Sequence, residues 1–250
     1  MSGWNGFDAL VAVLLPFATG DATPDAGQSR QDGAHDLAHL RRVWVNAFAI
    51  AAQEGGADAV LAASVLLHDC VAVEKNSPLR AQASRLAAAR AEAVLRGLGW
   101  QETDIAAVSH AIAAHSFSAG IAPQSLHARV LQDADRLDAI GMIGVARCFY
   151  TAGRMGSALY EPQDPRADHR VLDDAAYALD HFRAKLLRLA DGFQTATGAA
   201  IAQARTVAMA QFMAAFELEI GADTTSPPIQ RRACTQNRLG LGGVVQALGV

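Results

Sequence analysis

The sequence predicts an all-α protein, and two observations support this prediction. Half of the 250 residues are hydrophobic (51%) but only 6% are aromatic, and alanine and leucine dominate, which favours helix over strand. Apolar residues recur at helical spacing in several segments, whereas no segment shows the alternating pattern of a half-buried strand. The length allows one large domain or two small ones, with a sizeable core.

Turn residues divide the chain into helical segments. The apolar run "ALVAVLLPFATG" predicts an N-terminal helix, followed by a loop rich in Gly, Asp, Pro and Ser. The further predicted helices span residues 35–53, 57–70, 77–97, 103–116, 125–151, 171–195 and 199–220. We therefore predict an N-terminal helix and loop over 1–33, a helical domain over 34–220, and a poorly ordered tail over 221–250.

Charge and cysteine content exclude several classes of partner. The net charge is −4, so no broad basic surface for a nucleic-acid duplex is expected. The N-terminal apolar run is too short to cross a membrane, and Asp8 rather than a basic residue precedes it, so we expect a packed helix and not a signal peptide. Three scattered cysteines without a CxxC pair indicate a reducing, cytoplasmic compartment.

The most informative motif is the adjacent pair His68-Asp69, which closes the apolar run "VLAASVLLHDC". Charged groups at the end of a buried helix are normally paired or bind a metal. Suitable additional ligands are His39 in "AHDLAHLRRVW" and Asp135 in "LQDADRLDAIG". Two imidazoles and two carboxylates suit a divalent cation, and Mn, Mg, Co, Ni, Zn and Fe all remain candidates.

The motifs "HLRRV", "ASVLLHDC" and "DADRLD", in this order, resemble the H…HD…D pattern of the HD-domain metal-dependent phosphohydrolases. The longer segments around them resemble a bacterial subfamily of stand-alone HD hydrolases, over roughly residues 34–220. This resemblance implies an all-helical HD-domain bundle with His39, His68, Asp69 and Asp135 as metal ligands. It also implies a small phosphorylated substrate, such as a nucleotide, attacked by a metal-activated water.

The resemblance also suggests roles for side chains around these ligands. Asp69 is placed to orient or deprotonate the attacking water as well as to bind metal. Lys75 and Arg42 are the nearest cations that could hold phosphate oxygens, and His115 in "AIAAHSFS" is expected to line the pocket. Each of these cations could instead be a solvated or helix-capping charge.

Other polar residues near the motifs are expected to play supporting roles. His35 and Asp36 are candidates for orienting the His39 imidazole. Arg136 is expected to pair with Asp133 or Asp138, and His110 is expected to be structural.

Departures from the family pattern narrow the choice of activity. No "GYP" motif follows the HD pair, and no synthetase-like domain is attached, which disfavours a cyclic-di-GMP phosphodiesterase and a two-domain alarmone enzyme. Residues 70–109 contain no histidine, which disfavours a six-ligand dinuclear site, although His110, His115 and His127 leave it open. The alternatives to a phosphohydrolase are thus a dinuclear iron oxygenase of the HD fold and a non-catalytic nucleotide sensor.

Overall fold

A computed structural model of the protein describes residues 6–18, 37–71, 73, 80–116 and 119–222. The described residues form the helices α1 (Phe7–Ala18), α2 (Leu37–Glu54), α3 (Ala59–Leu67), α4 (Ala83–Gly97), α5 (Glu102–His115), α6 (Leu126–Asp138), α7 (Gly141–Met155), α8 (Ala178–Ala184) and α9 (Ala196–Glu219). These residues include no β-strand, only an isolated bridge between Ala158 and Tyr177. The predicted all-α class is confirmed.

Helix α3 is the centre of the bundle. Every side chain from Leu61 to Leu67 is buried, because this stretch carries apolar or small residues on all of its faces. Its first turn is capped by Asp58, whose carboxylate accepts a hydrogen bond from the backbone N–H of Leu61 at 3.0 Å. Helices α1, α2, α5 and α6 pack around α3, so that its C-terminal end, with His68, is enclosed by other helices.

The N-terminal helix α1 lies on α3, and the ring of Phe7 stacks on Trp44 of α2 with centroids 4.4 Å apart. None of the helices in the described ranges has the length and apolarity needed to cross a membrane. The predicted Gly-rich loop before α2 lies outside the described residues, as does all of the predicted tail at 221–250 beyond residue 222. The domain boundaries therefore stay predictions.

The prediction of one long helix over residues 125–151 is wrong. Two helices occupy this stretch, α6 ending at Asp138 and α7 beginning at Gly141, whose φ is +75°. This left-handed conformation cannot continue an α-helix and suits glycine. The side chain of Arg205 also packs against Gly141, where a Cβ atom would lie 3.0 Å from Cγ of Arg205.

We expect Gly141→Ala to lower the free energy of unfolding by about 1–2 kcal/mol, because alanine is strained at positive φ. The matched control is Gly153→Ala within α7, where a Cβ would meet no heavy atom within 4 Å. Because glycine is a poor helix former, this control should raise the free energy of unfolding by about 0.5–1 kcal/mol. Urea unfolding of both variants would test this, and equal effects would contradict the assignment of the helix break to Gly141.

The prediction of a helix over residues 171–195 is also wrong in most of its length. Only α8 and a short 3-10 turn over Leu186–Arg188 are helical there. The buried carboxylate of Asp180, in the first turn of α8, accepts hydrogen bonds from the Arg170 guanidinium and from the backbone N–H of Asp173 at 2.7 Å. These bonds hold residues 170–173 as a folded loop, which competes with helix formation.

Burial alone would raise the pKa of Asp180, but the hydrogen bonds from Arg170 outweigh burial and lower it below its ordinary value of 3.8. The resulting stabilisation is complete above pH 3.8 and is lost as the pH falls through the lower folded-state pKa. We expect Asp180→Asn to cost about 3 kcal/mol at pH 7, where it breaks a buried ion pair, and less in acid. Denaturant titrations at pH 7 and pH 3 would measure this, with the exposed Asp168→Asn as control. A cost that is equal at both pH values would count against the ion pair.

Candidate metal centre

Three imidazoles and two carboxylates from separate parts of the chain meet at the C-terminal end of α3. Nε2 of His39, on α2, lies 3.3 Å from Nε2 of His68 and 3.6 Å from Oδ1 of Asp135, on α6. Oδ2 of Asp69 lies 3.5 Å from Nε2 of His68 and 4.0 Å from Nε2 of His39. The other oxygen of Asp69 lies 3.7 Å from Nε2 of His115, the last residue of α5. We call these five residues the metal centre.

Hydrogen bonds on the far side of each ring orient the three imidazoles. Nδ1 of His68 lies 2.8 Å from the carbonyl oxygen of Val65, and Nδ1 of His115 lies 2.7 Å from that of Ile112. A carbonyl can only accept, so both Nδ1 atoms carry hydrogen and donate. Nδ1 of His39 donates in the same way to the carboxylate of Asp138 at 2.9 Å. In the neutral rings, all three Nε2 atoms therefore turn a lone pair toward the metal centre.

This donor set fits a divalent metal. Three nitrogen lone pairs and two carboxylates face one another, and such a group of acceptors requires a cation among them. Neighbouring ligands of one metal ion, each about 2.1 Å from it, lie roughly 3–3.5 Å apart, which is close to the separations seen here. His39, His68 and Asp135 form one group that could hold an ion, and His68, Asp69 and His115 form a second.

The electrostatics of the metal centre favour positive charge at His68. Burial alone would lower the pKa of His68, but the nearby carboxylates of Asp69 and Asp135 outweigh burial and raise it. For His115, burial and the neighbouring His68 together lower the pKa. The cluster can thus accommodate a proton at His68 or a metal ion in its place, while His115 favours the neutral form.

Asp138 orients the His39 ring, which the sequence analysis did not predict. Besides the hydrogen bond from His39, its carboxylate accepts bonds from Nε of Arg42 at 2.7 Å and from Arg147 at 2.6 Å. Burial alone would raise the pKa of Asp138, but the hydrogen bonds from His39 and Arg42 outweigh it and lower the pKa to about 2. Asp138 is thus a permanent anion that fixes the His39 ring.

The other predicted residues are placed as follows. Arg42 lies beside the metal centre with its guanidinium on Asp138, so its contact with a substrate phosphate stays a prediction. Lys75, His35 and Asp36 lie outside the described residues. Arg136 donates to the backbone carbonyls of Leu189 and Asp191, and Asp138 is paired with other arginines.

The two remaining histidines considered for a dinuclear site are engaged elsewhere. Nε2 of His110 accepts a hydrogen bond from the backbone N–H of Gln124 at 3.0 Å. His127 pairs with Asp58 at 3.0 Å, at the opposite end of α3 from His68. Among the three candidate histidines, the fold brings only His115 to the metal centre.

This fold and donor set define the class of protein. The HD-domain family model matches residues 36–140, a range that includes all five metal-centre residues. The uncharacterised protein YpgQ of Bacillus subtilis is 33% identical over 194 residues, which cover 76% of this chain and 86% of YpgQ. The chain belongs to the HD-domain family, as the motifs of the sequence indicated.

Solved structures with this fold include family members described as hydrolases. An HD-superfamily hydrolase from Bacillus thuringiensis matches with a TM-score of 0.63 and 28% identity, covering 87% of this chain and 100% of that chain. Bacillus subtilis YpgQ in complex with ADP matches with a TM-score of 0.62 and 29% identity, over 87% of this chain and 100% of that chain. The protein therefore has the fold of the HD-superfamily hydrolases.

Proposed function

We propose that this protein is a metal-dependent phosphohydrolase that acts on a nucleotide or another small phosphoester. The observation that supports this most directly is the asymmetric exposure of the metal centre. The side chains of His39 and His68 are 2% and 0% exposed, whereas those of Asp69 and Asp135 are 39% and 32% exposed. A metal would thus be anchored from within the bundle and reached by substrate from the carboxylate side.

The proposed ligands of the metal are His39, His68, Asp69 and Asp135. When bound there, a divalent cation supplies Lewis-acid polarisation of a phosphoryl oxygen and lowers the pKa of a water molecule toward neutrality. The two histidines are locked in orientation by the acceptors on their Nδ1 atoms, so little reorganisation is needed on binding.

The chain's own residues provide for movement of the proton. Asp69 is the most exposed carboxylate of the metal centre and is our candidate for orienting and deprotonating the attacking water. Oδ1 of Asp69, which would accept that proton, lies 3.7 Å from Nε2 of His115. The pKa of His115 is lowered, so this ring is neutral and would hold that proton only transiently before releasing it. Lys75 and Arg42 remain our candidates for contacting the substrate phosphate.

The choice of a nucleotide as the substrate class is supported by the relative YpgQ, one of whose crystal structures is a complex with ADP. A small phosphoester also suits a site that is recessed between helices and opens on two carboxylates, since a metal would offset their charge. Whether the ester is a monoester or a diester is part of what the experiment below would decide.

A second candidate is a dinuclear iron oxygenase of the same fold. It is favoured by one observation, that His115 joins His68 and Asp69 in a second group able to hold a metal. Against it, His110 and His127 are bonded elsewhere, so among the described residues only His115 joins His39 and His68 at the metal centre.

The test is elemental analysis of the native protein, followed by a phosphoester panel with the metal that is found. We expect one divalent ion per chain and metal-dependent release of phosphate or pyrophosphate from at least one nucleotide. Two irons per chain with an iron chromophore would favour the oxygenase. Ligand-induced thermal stabilisation with the nucleotide recovered unchanged would indicate a sensor and would contradict the proposal.

A further inference from the structure

Helix α7 presents apolar side chains to solvent as well as to the core. Toward the core, the ring of Phe149 contacts Phe212 of α9, with centroids 6.0 Å apart. On the opposite side, Met142, Ile143 and Tyr150 are 52%, 41% and 52% exposed, so the described helices leave them uncovered. A helix with apolar residues on both sides is normally buried on both, and a contiguous exposed apolar patch marks an interaction surface.

The outer side of α7 carries four exposed residues in a regular order: Ile143, Ala146, Tyr150 and Gly153. They follow one another at intervals of three, four and three residues, which places them on one face of the helix. Large and small residues alternate along these positions, and the intervals are the same when read from either end. We call these four residues, together with Met142, the α7 face.

This order makes the α7 face complementary to itself. A second α7 helix that runs antiparallel can be aligned so that its Gly153 lies opposite Ile143. The same alignment places its Ala146 opposite Tyr150. Each large side chain then meets a small residue of the other helix, an alternation that lets two helices pack closely. A parallel alignment would instead place Tyr150 opposite Tyr150.

The charges of α7 are compatible with this antiparallel alignment. The helix contains no Asp or Glu, and its two arginines, Arg147 and Arg154, lie along one edge of the α7 face. Arg147 donates a hydrogen bond to the carboxylate of Asp138 at 2.6 Å, which offsets its charge. The guanidinium of Arg154 lies 5.7 Å from the ring centroid of Tyr150. In an antiparallel pair, the two copies of Arg154 would lie about 18 Å apart along the helix axis, where salt screens their repulsion.

The apolar surface is large enough for a small dimer interface. It continues from Ile143 to Val45 of α2, which is 47% exposed, because both residues line one cavity of about 250 Å³. Since close to half of each large side chain is exposed, pairing two copies through the α7 face and Val45 would bury roughly 1,000 Å² in total, the lower limit for a specific interface. An interface of this size favours a dimer that dissociates on dilution.

We propose that the protein forms a homodimer in which the α7 faces of two copies pack against each other. The two α7 helices run antiparallel about a twofold axis, as a self-complementary face requires. The partner is a second copy of the chain because the α7 face matches itself in size, spacing and charge. None of the metal-centre residues lies on α7, so this inference goes beyond the proposed hydrolase function and does not depend on it.

The test is sedimentation velocity of the full chain over protein concentrations from low micromolar to near-millimolar. We expect a monomer at the low end of this range and a dimer at the high end. Ile143→Asp should weaken dimerisation at least about tenfold, because it places a carboxylate in the apolar interface. Ala146→Tyr should also weaken it, since it places a second large ring opposite Tyr150. The double variant Ala146→Tyr with Tyr150→Ala exchanges the large and small positions and should restore the dimer.

The matched control is Leu98→Asp at the end of α4, because Leu98 is 41% exposed, as Ile143 is. It should dimerise like the native chain. All the substituted positions are exposed, so the variants should fold, which circular dichroism would check.

Two results would overturn the homodimer: a native chain that stays monomeric throughout, or a dimer that Ile143→Asp leaves intact. A double variant that does not regain the dimer would overturn the antiparallel pairing of the α7 faces. Since no step of this experiment measures phosphate release, its failure would leave the proposed hydrolase activity untouched.

Discussion

Replacing His68 with alanine should reduce metal-dependent phosphate release by at least about a thousandfold, because losing the metal removes several kcal/mol of transition-state stabilisation. His68 is fully buried, and its Nε2 lies within 3.8 Å of His39, Asp69 and Asp135. A water molecule that takes the place of the imidazole is not held in the fixed position of Nε2, so it cannot replace this metal ligand. The measurement is phosphate release by purified protein at saturating metal, together with the metal content of each preparation.

The matched control for this experiment is His127→Ala. His127 is likewise a histidine near an aspartate, Asp58, but it is only partly buried and lies at the other end of α3. This control should keep its metal and its activity. Asp69→Ala should lose activity as His68→Ala does. Full turnover by His68→Ala on the phosphoester that the native protein hydrolyses would refute the metal centre as the catalytic site.

Asp138→Asn should weaken metal affinity by about 10–100-fold, as expected when a residue that orients a metal-bound histidine is replaced. The substitution keeps the size of the side chain but removes the anion that holds Nδ1–H of His39. It also leaves Arg42 and Arg147 without their buried counter-charge. The affinity can be measured by competition with a chelator of known strength, and activity at saturating metal should recover more than affinity does.

The control for this second variant is Asp133→Asn, five residues earlier on the same helix. Asp133 is also fully buried, and it accepts hydrogen bonds from the backbone of Gln194 and from Thr195 at the start of α9. Its replacement should lower stability without lowering metal affinity. If both variants lost affinity equally, the effect at Asp138 would be one of stability, and the orienting role would be refuted.

The sequence was sufficient to predict the helical class and to select the residues that converge. His39, His68, Asp69 and Asp135 stood out because each is a polar residue within or at the end of an apolar helical pattern. The sequence did not predict that Asp138 orients His39. Helical spacing places Asp135 and Asp138 on one face, but only the packing of α2 against α6 determines which carboxylate meets Nε2 of His39 and which meets Nδ1.

The two wrong helix predictions also have physical causes. Apolar periodicity continues from α6 into α7, and a single glycine without proline gives no clear signal that Gly141 adopts positive φ. The segment 171–177 contains good helix formers, but hydrogen bonds of Asp180 with Arg170 and Asp173 favour a loop. In both places tertiary contacts override the local helix propensity: the packing of Arg205 against Gly141 in the first, and the side-chain hydrogen bonds of Asp180 in the second.

The hydrogen bond between His39 and Asp138 spans 99 positions of the chain, and the contact between His39 and His68 spans 29. A metal ion held by His39, His68 and Asp135 would thus act as a reversible cross-link between residues that lie far apart along the chain. Such a link restricts the unfolded chain more than a local one does, since closing a long loop costs more entropy. Removing the metal with a chelator would then remove this cross-link between helices as well as the proposed catalytic ion.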